Sequence, residues 1–244
     1  MTGIDMLRPV NRIDQRFQNL REQNRKGFVA YIGAGDPDLA STEALALRLA
    51  DSGVDILELG VPFSDPLADG LVNQLAAQRG LASGTTPERL LETVAAIRKQ
   101  SNVPIVLYIY FNIMHRRGLK EFIDAAAAAG VDGLLALDLP PEEADEYEQL
   151  MKKAGLCSIW LIAPRLLRNA LLRLRRAAAG LSITFPGKEL PVCGRILFRA
   201  WMNGSPPYAA IRICPSRLGL AFQMPNKSGK SPQTATRWSS VVPL

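Results

Sequence analysis

Five short apolar runs alternate with polar sequence and limit what this chain can fold into. They are Gly27 to Gly33, Val54 to Leu59, Pro104 to Tyr110, Gly133 to Asp138 and Cys157 to Ile162. Each is strand-length and bounded by glycine, proline or charged residues, the pattern of a strand buried on both faces. Helix-patterned segments lie between or before them: Arg12 to Arg25, Glu43 to Ser52 behind a capping Ser41 or Thr42, Thr86 to Lys99, Leu119 to Ala129, and Pro141 to Ala154. Such alternation predicts parallel strands joined by helical crossovers. A doubly wound sheet fits the same alternation, but no G-x-G-x-x-G follows the first run. The expected fold class is therefore α/β, a parallel (β/α)8 TIM barrel.

Charge divides the chain in two. Residues 165–244 carry 13 Lys and Arg against the single acid Glu189, a net +12, whereas residues 1–164 carry 16 bases and 22 acids, a net −6. Two segments of opposite sign call for separate treatment. We take 1–164 as the N-terminal part of a TIM barrel and 165–244 as a basic, mostly irregular tail. No apolar run approaches the roughly 18 residues of a membrane span, and no leader pattern is visible at the N-terminus. The cysteines Cys157, Cys193 and Cys214 are few, odd in number and scattered, so the expected setting is cytoplasmic and reducing. A lone histidine, His115, leaves no His-based metal site, and none is expected.

Barrel enzymes react at the C-terminal ends of their strands. Glu58 stands inside an otherwise apolar second run, where an inward carboxyl would be desolvated and suited to proton transfer; a partner Lys or Arg elsewhere in the barrel is an equally good reading. The loop after it, Gly60 to Gly70, carries Asp65 and Asp69, either of which could simply cap a turn.

The run Glu58-Leu-Gly-Val-Pro-Phe-Ser-Asp-Pro-Leu-Ala-Asp-Gly70 resembles the signature of tryptophan synthase alpha chains over thirteen successive residues. Further similar pieces follow in order: Gly35-Asp36-Pro37, Tyr110 with Asn112, Asp138-Leu139-Pro140, and Leu161 to Pro164. Leu71 and Ile113 stand where family members usually have proline. The resemblance implies a lyase of tryptophan biosynthesis that cleaves indole-3-glycerol phosphate to indole and glyceraldehyde 3-phosphate. It implies Glu58 and Asp69 as catalytic carboxylates, and Tyr31, Tyr110, Leu135 and Leu137 as residues lining the indole pocket; for these last four, barrel packing is the competing role. It also implies a beta-chain partner in an α2β2 heterotetramer, with pyridoxal phosphate held by the beta chain and no cofactor in this one.

Past Pro164 the resemblance stops, and the tail reads as the same family out of frame. Joining the third base of each codon to the first two of the next, Met224-Pro225 must encode alanine. The shifted frame from Leu218 then allows Gly-Phe-Gly-Ile-Ser-Asn-Ala, similar to the family's phosphate loop. Ser182 to Val192 and Arg237 to Leu244 likewise allow the family motifs of strands six and eight. One base lost near the codon of Pro164 accounts for all three. The expectation is that the last three βα units are replaced by an aberrant tail, and that the chain as translated is inactive. Eight prolines in 181–244 argue against regular structure there, whereas 165–180 favours helix. Two other functions compete: a nucleic-acid binder using Arg173, Arg175 and Arg176, which lacks interleaved aromatics, and another phosphate-sugar barrel enzyme, which the Glu58–Gly70 run disfavours.

Overall fold

The computed structural model describes residues 11–162 and three short strands at 182–184, 195–199 and 208–212. The element order is α1 (Arg12–Glu22), β1 (Val29–Gly33), α2 (Leu39–Asp51), β2 (Ile56–Gly60), α3 (Leu71–Ala82), α4 (Pro87–Arg98), β3 (Ile105–Ile109), α5 (Phe111–His115), α6 (Leu119–Ala129), β4 (Gly133–Ala136), α7 (Asp145–Ala154) and β5 (Cys157–Ile162). Strands β6 (Ser182–Thr184), β7 (Arg195–Arg199) and β8 (Tyr208–Arg212) follow.

Strands β1 to β5 pair in sequence order and in parallel, with Tyr31 opposite Glu58, Glu58 opposite Val106, and Tyr108 opposite Leu135. Strand β6 joins β5 in parallel, but β7 and β8 run antiparallel. The three strands extend the sheet where irregular chain is expected from the prolines. Their direction has a simple cause. Ten residues separate β6 from β7 and eight separate β7 from β8, and a parallel crossover needs about a dozen or more. No β8–β1 pairing is present among the described residues. The remainder of 165–244, including the helix expected at 165–180 and the arginines at 173, 175 and 176, lies outside the described residues.

Alternation along the strands builds two cores. Inward residues Val29, Ile56, Val106, Leu135, Cys157 and Ile159 pack together under Ile13, Phe17 and Leu20 of α1. Outward residues such as Leu57, Leu59, Leu107, Ile109 and Leu134 pack against the helices, through Leu90, Val94, Ile97, Ile123 and Met151. Helix α1 thus covers the N-terminal end of the strands. Its cap Asn11 accepts from Ile13 and also donates to the carbonyls of Asp132 and Gly155.

Two buried aspartates, in repeated Gly-Val-Asp turns, fasten α1 further. Asp55 accepts from the Phe28 amide and from Arg16; Asp132 accepts from the Ile105 amide, Arg12 and Arg98. Each therefore ties the start of one strand to the start of its predecessor, and both to α1.

Helix boundaries depart from expectation where side-chain bonding decides them. Asp38, not Ser41 or Thr42, caps α2, accepting from the Ser41 amide at 2.7 Å. Thr42 lies inside the helix and accepts from the Gly35 amide. Before α7, Pro141–Glu143 makes a single 3-10 turn, so the helix begins at Asp145. Helices α3 and α5 are not anticipated from the sequence. The apolar residues of α3 are spread around its circumference, and Leu71, Val72 and Leu75 remain exposed, so no stripe marks it.

Candidate active site

Glu58 is the middle residue of β2 and shares the inward face with Ile56. It is 4% exposed, and no side chain among the described residues forms a hydrogen bond or ion pair with its carboxyl. Burial without a compensating cation pushes its pKa up to about 8, so the carboxyl is neutral at pH 7 and can give a proton. A Lys or Arg partner, the rival reading of the sequence, is not found among the described residues.

Asp69 arrives from the loop between β2 and α3. Tyr108 donates to its Oδ1 at 2.8 Å and Tyr110 to its Oδ2 at 2.9 Å. Asn73 reaches Oδ1 at 3.4 Å, and Gln74 donates to the Asp69 carbonyl. The Tyr110 hydroxyl also accepts from the Ala68 amide, and its ring lies 4.9 Å from that of Phe63. The loop is thereby folded onto the end of β3. Asp65 is exposed on the same loop and takes no comparable position; only Asp69 turns inward.

Tyr31, on β1 opposite Glu58, meets the Tyr108 ring edge-on with centroids 5.3 Å apart. Gly60 makes room for it: a Cβ there would fall 2.2 Å from the Tyr31 hydroxyl. Burial, followed by the charges of Asp69 and Glu58, drives the Tyr31 hydroxyl well above the usual phenol range. Burial and Asp69 do the same to Tyr108 and Tyr110. All three stay protonated donors, and the two carboxyls act on one cluster of phenols.

Leu135 is fully buried beside Tyr108 on the inward face, and Leu137 packs against that same cluster just past the end of β4. The structure thus brings Glu58, Asp69, Tyr31, Tyr110, Leu135 and Leu137 to one end of the sheet. Sequence reasoning missed Tyr108. Its signal was available, since strand alternation puts residue 108 on the same face as Tyr110 and level with the end of β2.

The loop's other support comes from α3. A Cβ on Gly80 would lie 2.7 Å from the Ala34 carbonyl, so the helix sits directly on the end of β1. Arg79 adds a two-pronged ion pair to Asp36. No group of three or more His, Cys, Asp or Glu is arranged to hold a metal among the described residues, and no described helix is long and apolar enough to cross a membrane.

Residues 17–183 match the family model of the tryptophan synthase alpha chain. The chain belongs to that family. The match runs past Pro164, as far as β6. The alpha chain of Opitutus terrae is 48% identical over 171 residues, 70% of this chain and 64% of that relative. The alpha chain of Geobacter sulfurreducens is also 48% identical, over 70% of this chain and 65% of its own length. The chain therefore spans a little under two thirds of these relatives. Among solved structures, subunit alpha from Legionella pneumophila superposes with a TM-score of 0.71 at 38% identity, covering 72% of this chain and 68% of that one. Tryptophan synthase from M. tuberculosis in its aminoacrylate-bound form gives 0.69 at 32% identity, covering 72% and 71%.

Proposed function

We propose that this site is built for the aldol cleavage of indole-3-glycerol phosphate to indole and glyceraldehyde 3-phosphate. The observation that carries the reading is a pair of carboxyls in opposite states of readiness: Glu58 buried and protonated, Asp69 held by two phenolic donors. The carbon–carbon bond breaks only after indole C3 is protonated, because the ring must accept the bonding electrons. Glu58 gives that proton. The Glu58 carboxylate so formed takes the proton of the glycerol hydroxyl as the carbonyl of the aldehyde forms and indole departs. Asp69 accepts a hydrogen bond from the indole N–H and stabilises the positive charge that develops there. Tyr31, Leu135 and Leu137 supply the apolar walls for the ring.

The partner in this reading is a tryptophan synthase beta chain, in an α2β2 assembly, which holds its own pyridoxal phosphate and joins indole to serine. A related solved structure is that of the α2β2 complex of Pyrococcus furiosus. Exposed apolar side chains beside the site support docking there: Leu67 is 83% exposed and Leu71 66%. The setting is cytoplasmic, and no cofactor, metal, membrane or nucleic acid takes part.

The translated chain itself is inactive in this proposal. Barrels of this kind hold phosphate with backbone amides after strands seven and eight. The motifs for those loops occur here only in the shifted frame, and β7 and β8 run antiparallel. Resequencing the codons of residues 164 to 184 tests the lost base directly. Restoring that base should restore indole release from indole-3-glycerol phosphate. Lyase activity in the unrestored chain would refute the frame argument, and a restored chain without activity would refute the lyase reading.

A further inference from the structure

Tyr108 plays no part in the chemistry above, yet it makes the shorter of the two phenol bonds to Asp69, 2.8 Å to Oδ1. We infer that Tyr108 is a positioning residue of this site, clamping the Asp69 carboxylate jointly with Tyr110 and directing the incoming N–H to the Oδ2 oxygen. The inference rests on the lyase reading for the identity of that N–H, but the clamp itself does not.

Three observations support it. Tyr108 and Tyr110 stand two residues apart at the end of β3, so they leave the strand on one face. Their hydroxyls reach different oxygens of one carboxylate, which sets the plane of the group as a single donor could not. A carboxylate oxygen accepts about two hydrogen bonds. Oδ1 is shared by Tyr108 and, at 3.4 Å, Asn73, whereas among the described residues Oδ2 receives Tyr110 alone. Oδ2 is thus the oxygen with room for a further donor.

The Tyr108 ring is itself held in place. Tyr31 abuts it edge-on, and Tyr31 is seated over Gly60. A donor so fixed spreads the carboxylate charge over two short bonds and keeps the group an acceptor in a fixed plane. That suits its task. If Asp69 removed the indole N–H proton, the ring would lose the positive charge that draws electrons from the breaking bond.

The test uses the full chain with its tyrosines labelled at the ring carbon that bears oxygen. Tyr108→Phe and Tyr110→Phe identify the two NMR signals by their disappearance. Asp69→Ala should then move the signals of both Tyr108 and Tyr110 and leave that of Tyr147, which donates to the Leu134 carbonyl, unmoved. A Tyr108 signal indifferent to Asp69→Ala overturns the inference. Titration with indole and 1-methylindole follows, the second lacking the N–H. Wild type should prefer indole roughly ten-fold, the size of one good hydrogen bond to a charged acceptor. Tyr108→Phe keeps the ring and should lose most of that preference; a preference unchanged in this variant reduces Tyr108 to packing and overturns its positioning role. Absence of any preference in wild type, or of any binding, with both signals responding to Asp69→Ala, strikes the lyase reading and leaves the clamp standing.

Discussion

Glu58 is a single residue whose environment can be read by a stability measurement on the chain as it exists. Its carboxyl titrates near 4.5 when exposed and near 8 when folded. Between these values the unfolded chain gives up the proton first, so stability should fall as pH rises from 4.5 to 8 and level off above. The fall is bounded by about 5 kcal/mol for one group shifted by this much. Glu58→Gln should flatten that slope, since the amide has no charge to form. Urea denaturation at a series of pH values checks it; identical slopes in the two proteins would contradict the burial argument. In a frame-restored chain the same substitution should cost indole release at least about a hundred-fold, the usual worth of a positioned proton donor, with little change in substrate binding. Turnover of the frame-restored chain with Glu58 intact should decline above pH 8, where the donor is lost. Asp69→Asn should bind substrate nearly as well and turn it over far more slowly, because an amide offers no negative charge to the developing cation.

Among the elements, α1 and α3 are attached by contacts that single substitutions can test. Asp132 is 2% exposed and satisfies Arg98, Arg12 and the Ile105 amide together. Asp132→Ala leaves the Arg98 guanidinium with only the carbonyls of Gly130, Ser101 and Val103 and no carboxylate, and the buried Ile105 amide without an acceptor, so a loss of about 3 kcal/mol is expected. Asp132→Asn should cost less, since its one remaining carbonyl oxygen keeps part of the set. Chemical denaturation of the two variants gives the comparison, and an Ala variant as stable as wild type would show that the cluster contributes nothing. For Gly80 the sign is the informative part. In an exposed helix, Gly→Ala gains about 1 kcal/mol. Here the added methyl would meet the Ala34 carbonyl at 2.7 Å, a backbone atom with little freedom to move. Gly80→Ala should therefore lower the melting temperature and loosen the β2–α3 loop that carries Asp69.

At the scale of the whole molecule, the sheet formed by the described residues does not pair β8 with β1. A barrel's strand tilt and stagger are set by closure, and two antiparallel strands cannot carry crossover helices. On the proposed frameshift, restoring the reading frame should replace β7 and β8 by parallel βα units and bury more surface. The restored protein should then unfold with a steeper dependence on denaturant than the present chain, since that slope follows the area exposed. Equal slopes would indicate that the present chain already buries as much as a complete barrel.

The sequence pattern indicated the parallel strands β1–β5, a carboxyl at Glu58 inside the second of them, and the ends of α4 and α6 at Thr86 and Gly130. These are local properties: which residues are apolar, at what spacing, and which residue can cap or adopt a left-handed turn. The run Glu58–Gly70 named the family because its residues are contiguous. Helix α3 was illegible, because its amphipathicity is too weak to mark a stripe and its contact with β1 depends on a missing side chain at Gly80. Alternation puts Tyr108 on the face of Tyr110, but its partner, Asp69, is 39 residues away in the chain, and no local pattern shows that separation closing. Residue spacing left both loop aspartates open and the resemblance pointed to Asp69; the tertiary structure turns Asp69 onto Tyr108 and Tyr110 and reverses β7 and β8. Both outcomes depend on where chain ends and side chains meet in space, which residue spacing does not encode.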